Sequence, residues 1–263
     1  MSGRIPARIA RLCAAFLTVV AVGAVAAGAA SAEVVYNNVP SKLPGNFASI
    51  GLEATSSTEF GGEIELAGTA RSMPTVTVVM SSWACGTGGV GSGCTTTKAN
   101  KAGFKVPQTV KIYAAGELAE GPVAEKTKSV KMLYRPSEDT VKCTTGAWYD
   151  AAEAACYHGF AFPVSVKLGK LKKMPKKAVV TFSYPHSSGP AQSLNVSISE
   201  PAEKTLSIGS NPVEEWFVNS TWSGMYGSAA TPGDIGKLGP EIGLDSVEAE
   251  GTAYQPVISV SAN

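Results

Sequence analysis

Histidine is nearly absent from this 263-residue chain, which carries only His158 and His186. A hydrolytic triad sets a histidine beside an activated serine, and no G-x-S-x-G elbow accompanies either residue. A zinc centre takes three or four His, Cys or carboxylate ligands at clustered spacing, and that clustering is missing as well. Neither histidine is therefore expected to be catalytic: His186, in SYPHSSGP, reads as part of an exposed turn, and His158 as the half-buried start of a strand. No C-x-x-C pair occurs, which excludes the usual catalytic dithiol. Excess charge is lacking too: 22 Lys and Arg stand against 21 Asp and Glu, and so even a balance gives no reason to expect a protein that binds nucleic acid or another polyanion. Long apolar runs are confined to the N-terminus. Beyond it no helical stripe is present, and WYDAAEAAC has room for one or two turns at most.

The N-terminal run points to a compartment. MSGRIPARIAR carries Arg4, Arg8 and Arg11 and no acid, residues 12 to about 27 are apolar and alanine-rich, and Ala30–Ala32 reads ASA. A basic start, an apolar middle and a small-residue cleavage site make a secretory signal peptide over residues 1–32, cut before Glu33. Small side chains and the missing stop-transfer flank weigh against a membrane anchor. Cys13 sits at the wrong end of the apolar region for lipid attachment, and no twin arginine is present. The expected mature chain, residues 33–263, has 231 residues with 19 Lys and Arg against 21 Asp and Glu. That length suits one large all-β domain, with 201–263 as a possible irregular C-terminal extension. No sorting motif follows VISVSAN, so release or non-covalent retention outside the cell is expected, with no membrane attachment of the mature form.

Four cysteines remain after the leader: Cys85, Cys94, Cys143 and Cys156. An even set in an exported chain implies disulfides, and four cysteines allow three connectivities. Local pairing, Cys85 with Cys94 and Cys143 with Cys156, is the expectation, because each pair closes a short turn-rich loop beside a strand-like run. The runs themselves are EIELAGTA (63–70), TVTVVMSSW (75–83), VPQTVKIYAA (106–115), SVKMLY (129–134), HGFAFPVSVKL (158–168), AVVTFSY (178–184), SLNVSIS (193–199) and YQPVISVSA (254–262). They alternate, are rich in Val, Thr, Ile and Tyr, and are punctuated by Gly, Pro, Ser and Asn. This predicts an antiparallel β-sandwich, jelly-roll or immunoglobulin-like, with two disulfide-closed loops.

FGGEIELAGTAR (60–71) and SSWAC (81–85), with YRPSEDTVKC and WYDAAEAACYHGFAFPVSV downstream, resemble a group of uncharacterised exported actinobacterial β-sandwich proteins. These share F-G-x-x-[IV]-x-L-A-G-T-A-R and S-S-W-x-C stretches. The resemblance spans about residues 35–200 and implies a secreted β-sandwich, with no activity or site residues to carry over.

Within GGEIELAG, Glu63 and Glu65 project from one face of a strand. The stretch resembles part of the acid motif of one family of β-sandwich glycosidases, whose chemistry needs paired carboxyls. Where that family has its third acid, this chain has Ala67 and Gly68, and the ordinary alternative is a solvated strand face. NPVEEWFVNSTWSGMYG (211–227) is the densest aromatic stretch. Trp216, Trp222 and Tyr226 are the candidate glycan-binding residues, since exposed rings beside polar neighbours suit sugar faces; the alternative is that they plug the core. Trp148, Tyr149 and Tyr157 flank the second cysteine loop and are expected to pack against it. KLGKLKKMPKK (167–177) either meets anionic wall polymers or is a solubilising turn that discourages edge pairing. No cofactor is expected. Structural calcium through Asp234, Glu241 and Asp245 has no ligand series at fixed spacing behind it. The overall reading is a secreted, non-catalytic extracellular protein at the cell envelope, structural or binding, with cell-wall polysaccharide or an extracellular protein as partner. The alternatives are a carbohydrate-binding module and, less favoured, a secreted glycoside hydrolase.

Overall fold

Strands with one buried face leave a period of two in the sequence, and in the computed structural model that period becomes two antiparallel sheets packed face to face. The structure describes residues 32–53, 57–98, 101–169, 171–186, 188–199, 206–211, 216–220, 236–238 and 255–263, with the backbone alone for Ser57, Ala119, Ser199, 216–220 and 236–238. The first sheet holds β1 (Glu33–Asn37), β2 (Ser49–Gly51), β4 (Thr75–Ser82), β9 (Phe160–Lys167), β11 (Leu194–Ser199), β14 (Gln255–Pro256) and β15 (Ile258–Ala262). The second holds β3 (Ser57–Glu65), β5 (Gly103–Ala114), β6 (Ala124–Leu133), β10 (Lys177–Ser183), β12 (Trp216–Ser220) and β13 (Gly236–Leu238), in the order β13-β12-β3-β10-β5-β6. A separate ribbon pairs β7 (Trp148–Asp150) with β8 (Ala155–Tyr157). Among the described residues no helix is long and apolar enough to cross a membrane.

Alternate residues of the two inner faces merge into one core. Val76, Val78 and Met80 of β4, Val164 and Val166 of β9 and Ile258 and Val260 of β15 meet Phe60 and Ile64 of β3, Val110 and Ile112 of β5 and Val180 and Phe182 of β10. Full burial of side chains this size contributes about 1.5–3 kcal/mol each. β4 is the spine of the first sheet. One edge pairs with β9, whose Pro163 lacks an N–H and is tolerated because among the described residues no strand pairs with the far edge of β9. The other edge forks, to β15 at Thr75–Val78 and to β11 at Met80–Ser82. Val257 fills the fork, its N–H donating to Ser197 O at 2.9 Å while its carbonyl accepts from Val79 N at 2.9 Å. Asn38 fastens the same point from the other side. Its Nδ2 donates to Pro256 O at 2.9 Å and its Oδ1 accepts from Ile258 N at 2.6 Å.

Both disulfides are local, Cys85–Cys94 with Cα atoms 5.5 Å apart and Cys143–Cys156 at 5.7 Å. Between the first pair, Thr87 and Thr95 exchange two backbone hydrogen bonds of 2.9 Å. Gly88, at φ 72, lies so close to Gly93 that a Cβ would stand 2.3 Å from its carbonyl oxygen. The bridge thus ties a ladder of minimal side chains to the end of β4. Two expectations need correction. The run EIELAGTA leaves the sheet at Glu65, because Arg71 gathers LAGTA into a loop: its guanidinium donates to the carbonyls of Leu66, Ala67, Gly68 and Ala70 at 2.6–3.2 Å. WYDAAEAAC forms a hairpin instead of helical turns. Asp150 Oδ1 accepts from Ala152 N at 2.8 Å, an Asx turn that competes with helix, and Ala154 takes the left-handed conformation at φ 52.

Candidate functional site

Alternation along β3 sends Phe60 and Ile64 inward and leaves Glu59, Glu63 and Glu65 on the outer face of the second sheet. Neighbouring strands supply the partners. Glu65 Oε1 lies 2.8 Å from Lys176 Nζ and its Oε2 4.0 Å from Lys177 Nζ. The Lys176 hydrogen bond holds this carboxyl below the ordinary glutamate value, with the charges of both lysines adding to it. Glu65 lines an open cleft of about 410 Å³ with Lys176, Gly68 and Ser210. At the other end of β3, Glu59 is only 4 % exposed. Its Oε2 receives Lys111 Nζ at 2.5 Å, and its Oε1 accepts from Tyr113 Oη at 3.1 Å and from the Thr181 hydroxyl. Burial, then the neighbouring Glu59 charge, pushes the Tyr113 hydroxyl well above its usual pKa. Each of these two carboxylates is thus already held by lysine, and Glu59, absent from the sequence reading, is the most buried of the row.

His186 is the only described histidine paired with an acid, its Nδ1 lying 3.0 Å from Glu53 Oε2. It shares an open hollow of about 370 Å³ with Thr58, Thr109 and Ser183. That is the imidazole–carboxylate half of a triad, yet among the described residues no hydroxyl is hydrogen-bonded to the ring. The turn is also less open than expected, since the imidazole is 21 % exposed. His158 departs the other way: it is exposed, lying parallel to Trp83 within 8° at a centroid distance of 5.9 Å.

The rest of the disulfide end is built for cohesion. Trp148 packs against Tyr157 and Phe160 at 5.7 Å each, and its Nε1 donates to Gly159 O at 2.6 Å. Glu153 Oε2 accepts from Tyr157 Oη at 2.7 Å and from Gly45 N at 3.0 Å. These two bonds, the backbone one foremost, hold the Glu153 carboxyl below the usual range, and the Glu153 bond raises Tyr157 to about 12. Arg135 is fully buried beside this region. Its Nε reaches Pro136 O at 3.3 Å, while Nη1 and Nη2 have no hydrogen-bond partner among the described residues. Burial lowers its pKa, opposed by the Glu138 charge.

Of the candidate glycan-binding residues, Trp216 opens β12 with its backbone opposite Gly62, and Trp222 and Tyr226 lie outside the described residues. Asp234, Glu241 and Asp245 lie outside them as well, and among the described residues no three His, Cys, Asp or Glu converge as metal ligands. The lysine run joins β9 to β10; Lys172 and Lys173 are exposed there, whereas Lys176 and Lys177 turn to Glu65. No protein-family model, curated protein or solved structure matches the chain.

Proposed function

We propose that this chain is an exported, non-catalytic β-sandwich that resides at the cell envelope as a structural or binding protein. The observation that carries the reading is the engagement of its acids. Glu65 and Glu59, the described carboxylates best placed on the outer sheet, are bound to Lys176 and Lys111. Glycosidase chemistry needs one carboxyl to donate a proton and another to attack or activate water, and acids held ionised by lysine leave neither of these two to serve as the proton donor. Export is supported by the two disulfides, which persist in oxidising compartments, and by the signal-peptide pattern of residues 1–32. The test is sedimentation of the full chain with isolated cell walls, while reducing ends are measured in the supernatant. The protein should pellet with the walls and release no new ends. A protein that stays soluble removes the envelope reading, and new reducing ends remove the non-catalytic one.

Glycan binding is a second reading, favoured by the parallel Trp83–His158 pair at the surface, since flat apolar ring faces suit sugars. Tryptophan fluorescence on titration with soluble wall oligosaccharides tests it. Loss of the response in Trp83→Ala supports this reading, and an unchanged response refutes it.

A further inference from the structure

The near-neutral composition conceals a local separation of charge. Residues 95–111 and 126–135, which include most of β5 and β6, contain no Asp or Glu. They carry Lys98, Lys101, Lys105, Lys126, Lys128 and Lys131, all exposed. None of these six has a carboxylate within 4 Å among the described residues, unlike Lys111 farther along β5, which holds Glu59. The hairpin's acids, Glu117, Glu120 and Glu125, lie toward its closed end. Pairing intensifies the separation: Lys105 stands directly opposite Lys131, and Lys131 Nζ donates to the Lys101 carbonyl, drawing a third lysine in. Like charges directly opposite on a sheet destabilise it. Alternation puts Lys126 and Lys128 on the same face of β6 as Val130 and Met132, where protection of an edge strand explains them; it does not explain Lys131 facing Lys105 on the broad outer face.

We propose that the open end of the β5–β6 hairpin is a docking surface for a phosphodiester-bearing anionic polymer of the cell envelope. The proposal rests on the envelope reading above and names its partner and site. Several features favour this partner. Every exposed cation of the patch is a lysine, which binds phosphate oxygens as a point charge and so tolerates phosphates spaced along a flexible chain without the bidentate geometry an arginine fork imposes. A membrane surface calls for apolar anchors beside the charges. Among the described residues the exposed large apolar side chains, Val34, Met73, Val90, Val123 and Val141, all lie outside the two acid-free segments. Nucleic acid calls for free rings on which bases stack. Here Phe104 and Tyr134 pack on each other at 5.1 Å, and Phe104 also packs against the core. What remains is charge-led binding, weakened steeply by salt.

The variant that separates binding from folding is Lys105→Glu, because it replaces a like-charge pair with an opposite-charge pair at the same register. Binding of the full chain to purified poly(glycerol phosphate) is measured across a salt series, with anionic phospholipid vesicles as comparison. The expected result is polymer binding that falls with salt, loses at least tenfold in Lys105→Glu, and changes less than twofold in the Lys172→Glu, Lys173→Glu variant. The melting temperature of Lys105→Glu should be equal to or above that of the unchanged chain. No binding by the unchanged chain, equal loss in both variants, or tighter binding to vesicles than to polymer would overturn the proposal. Wall sedimentation that survives Lys105→Glu would overturn it while leaving the envelope reading intact.

Discussion

Removing the Glu59 side chain takes away one buried acceptor on which three donors converge. In Glu59→Ala the Lys111 ammonium and the hydroxyls of Tyr113 and Thr181 lose their common partner. The two hydroxyl-bearing residues are 2 % and 1 % exposed, so water does not readily replace the carboxylate there. Lys111 is 25 % exposed and regains part of its hydration. Breaking a buried pair by deleting one partner costs about 3–5 kcal/mol, and the partial exposure of Lys111 sets the expectation near the lower end, about 3 kcal/mol. At about 2–4 °C per kcal/mol for a domain of this size, the melting temperature should fall by roughly 6–12 °C. Glu59→Gln keeps an acceptor for the hydroxyls and loses only the charge, so it should cost less, about 1.5 kcal/mol. Joining Glu59→Leu to Lys111→Met removes both charges and should recover much of the loss, because apolar replacement of a whole buried pair is often neutral. Thermal and guanidinium unfolding of these three variants beside the unchanged chain measures the differences. If Glu59→Ala costs less than about 0.5 kcal/mol, the range of unremarkable surface changes, the carboxylate faces solvent and the argument that the outer-face acids are structural fails.

Asn38→Ala orphans the Ile258 N–H and the Pro256 carbonyl inside the fork of the first sheet. The expected loss is about 2–4 kcal/mol, with faster amide exchange at Val257 and Ile258; unchanged exchange there counts against Asn38 as the fastening. Gly45→Ala drives a Cβ to 2.5 Å from Tyr157 Cδ2 and 3.0 Å from Trp148 Cη2, so melting should show a loss of about 1–3 kcal/mol together with an altered near-ultraviolet spectrum. Glu153 stays ionised in the folded protein to lower pH than in the unfolded chain. Its contribution is present above the ordinary glutamate pKa and lost as pH falls through the depressed folded value. Protection of the Gly45 amide should drop in that acid window in the unchanged chain and be low at all pH in Glu153→Ala. Tyr157 should ionise near 12 by ultraviolet titration and revert toward 10 in Glu153→Ala.

Much of the sandwich was legible because half-buried strands leave their period in the chain; β4, β9 and β10 match runs read from alternation and composition, whereas the run YQPVISVSA is divided between β14 and β15. The disulfide pairing was legible because short, turn-rich loops bring their ends together. Three features were not. LAGTA kept the composition of a strand while one arginine folded it into a loop, an interaction of five residues with no periodic signal. STEF gave no sign that Glu59 would be buried, because nothing in its alternation says that an outer face will be covered. Lys105 and Lys131 are far apart in the chain, and only strand register sets one against the other. The aromatic reading of Trp222 and Tyr226 lies outside the described residues.

The most direct test of the account is expression of the full chain, residues 1–263, in a secreting bacterial host, followed by N-terminal sequencing and non-reducing peptide mass spectrometry of the extracellular and wall fractions. The account predicts a protein in those fractions that begins at Glu33 and carries Cys85 linked to Cys94 and Cys143 linked to Cys156. A chain that keeps residues 1–32 and stays inside the cell with free thiols would contradict it.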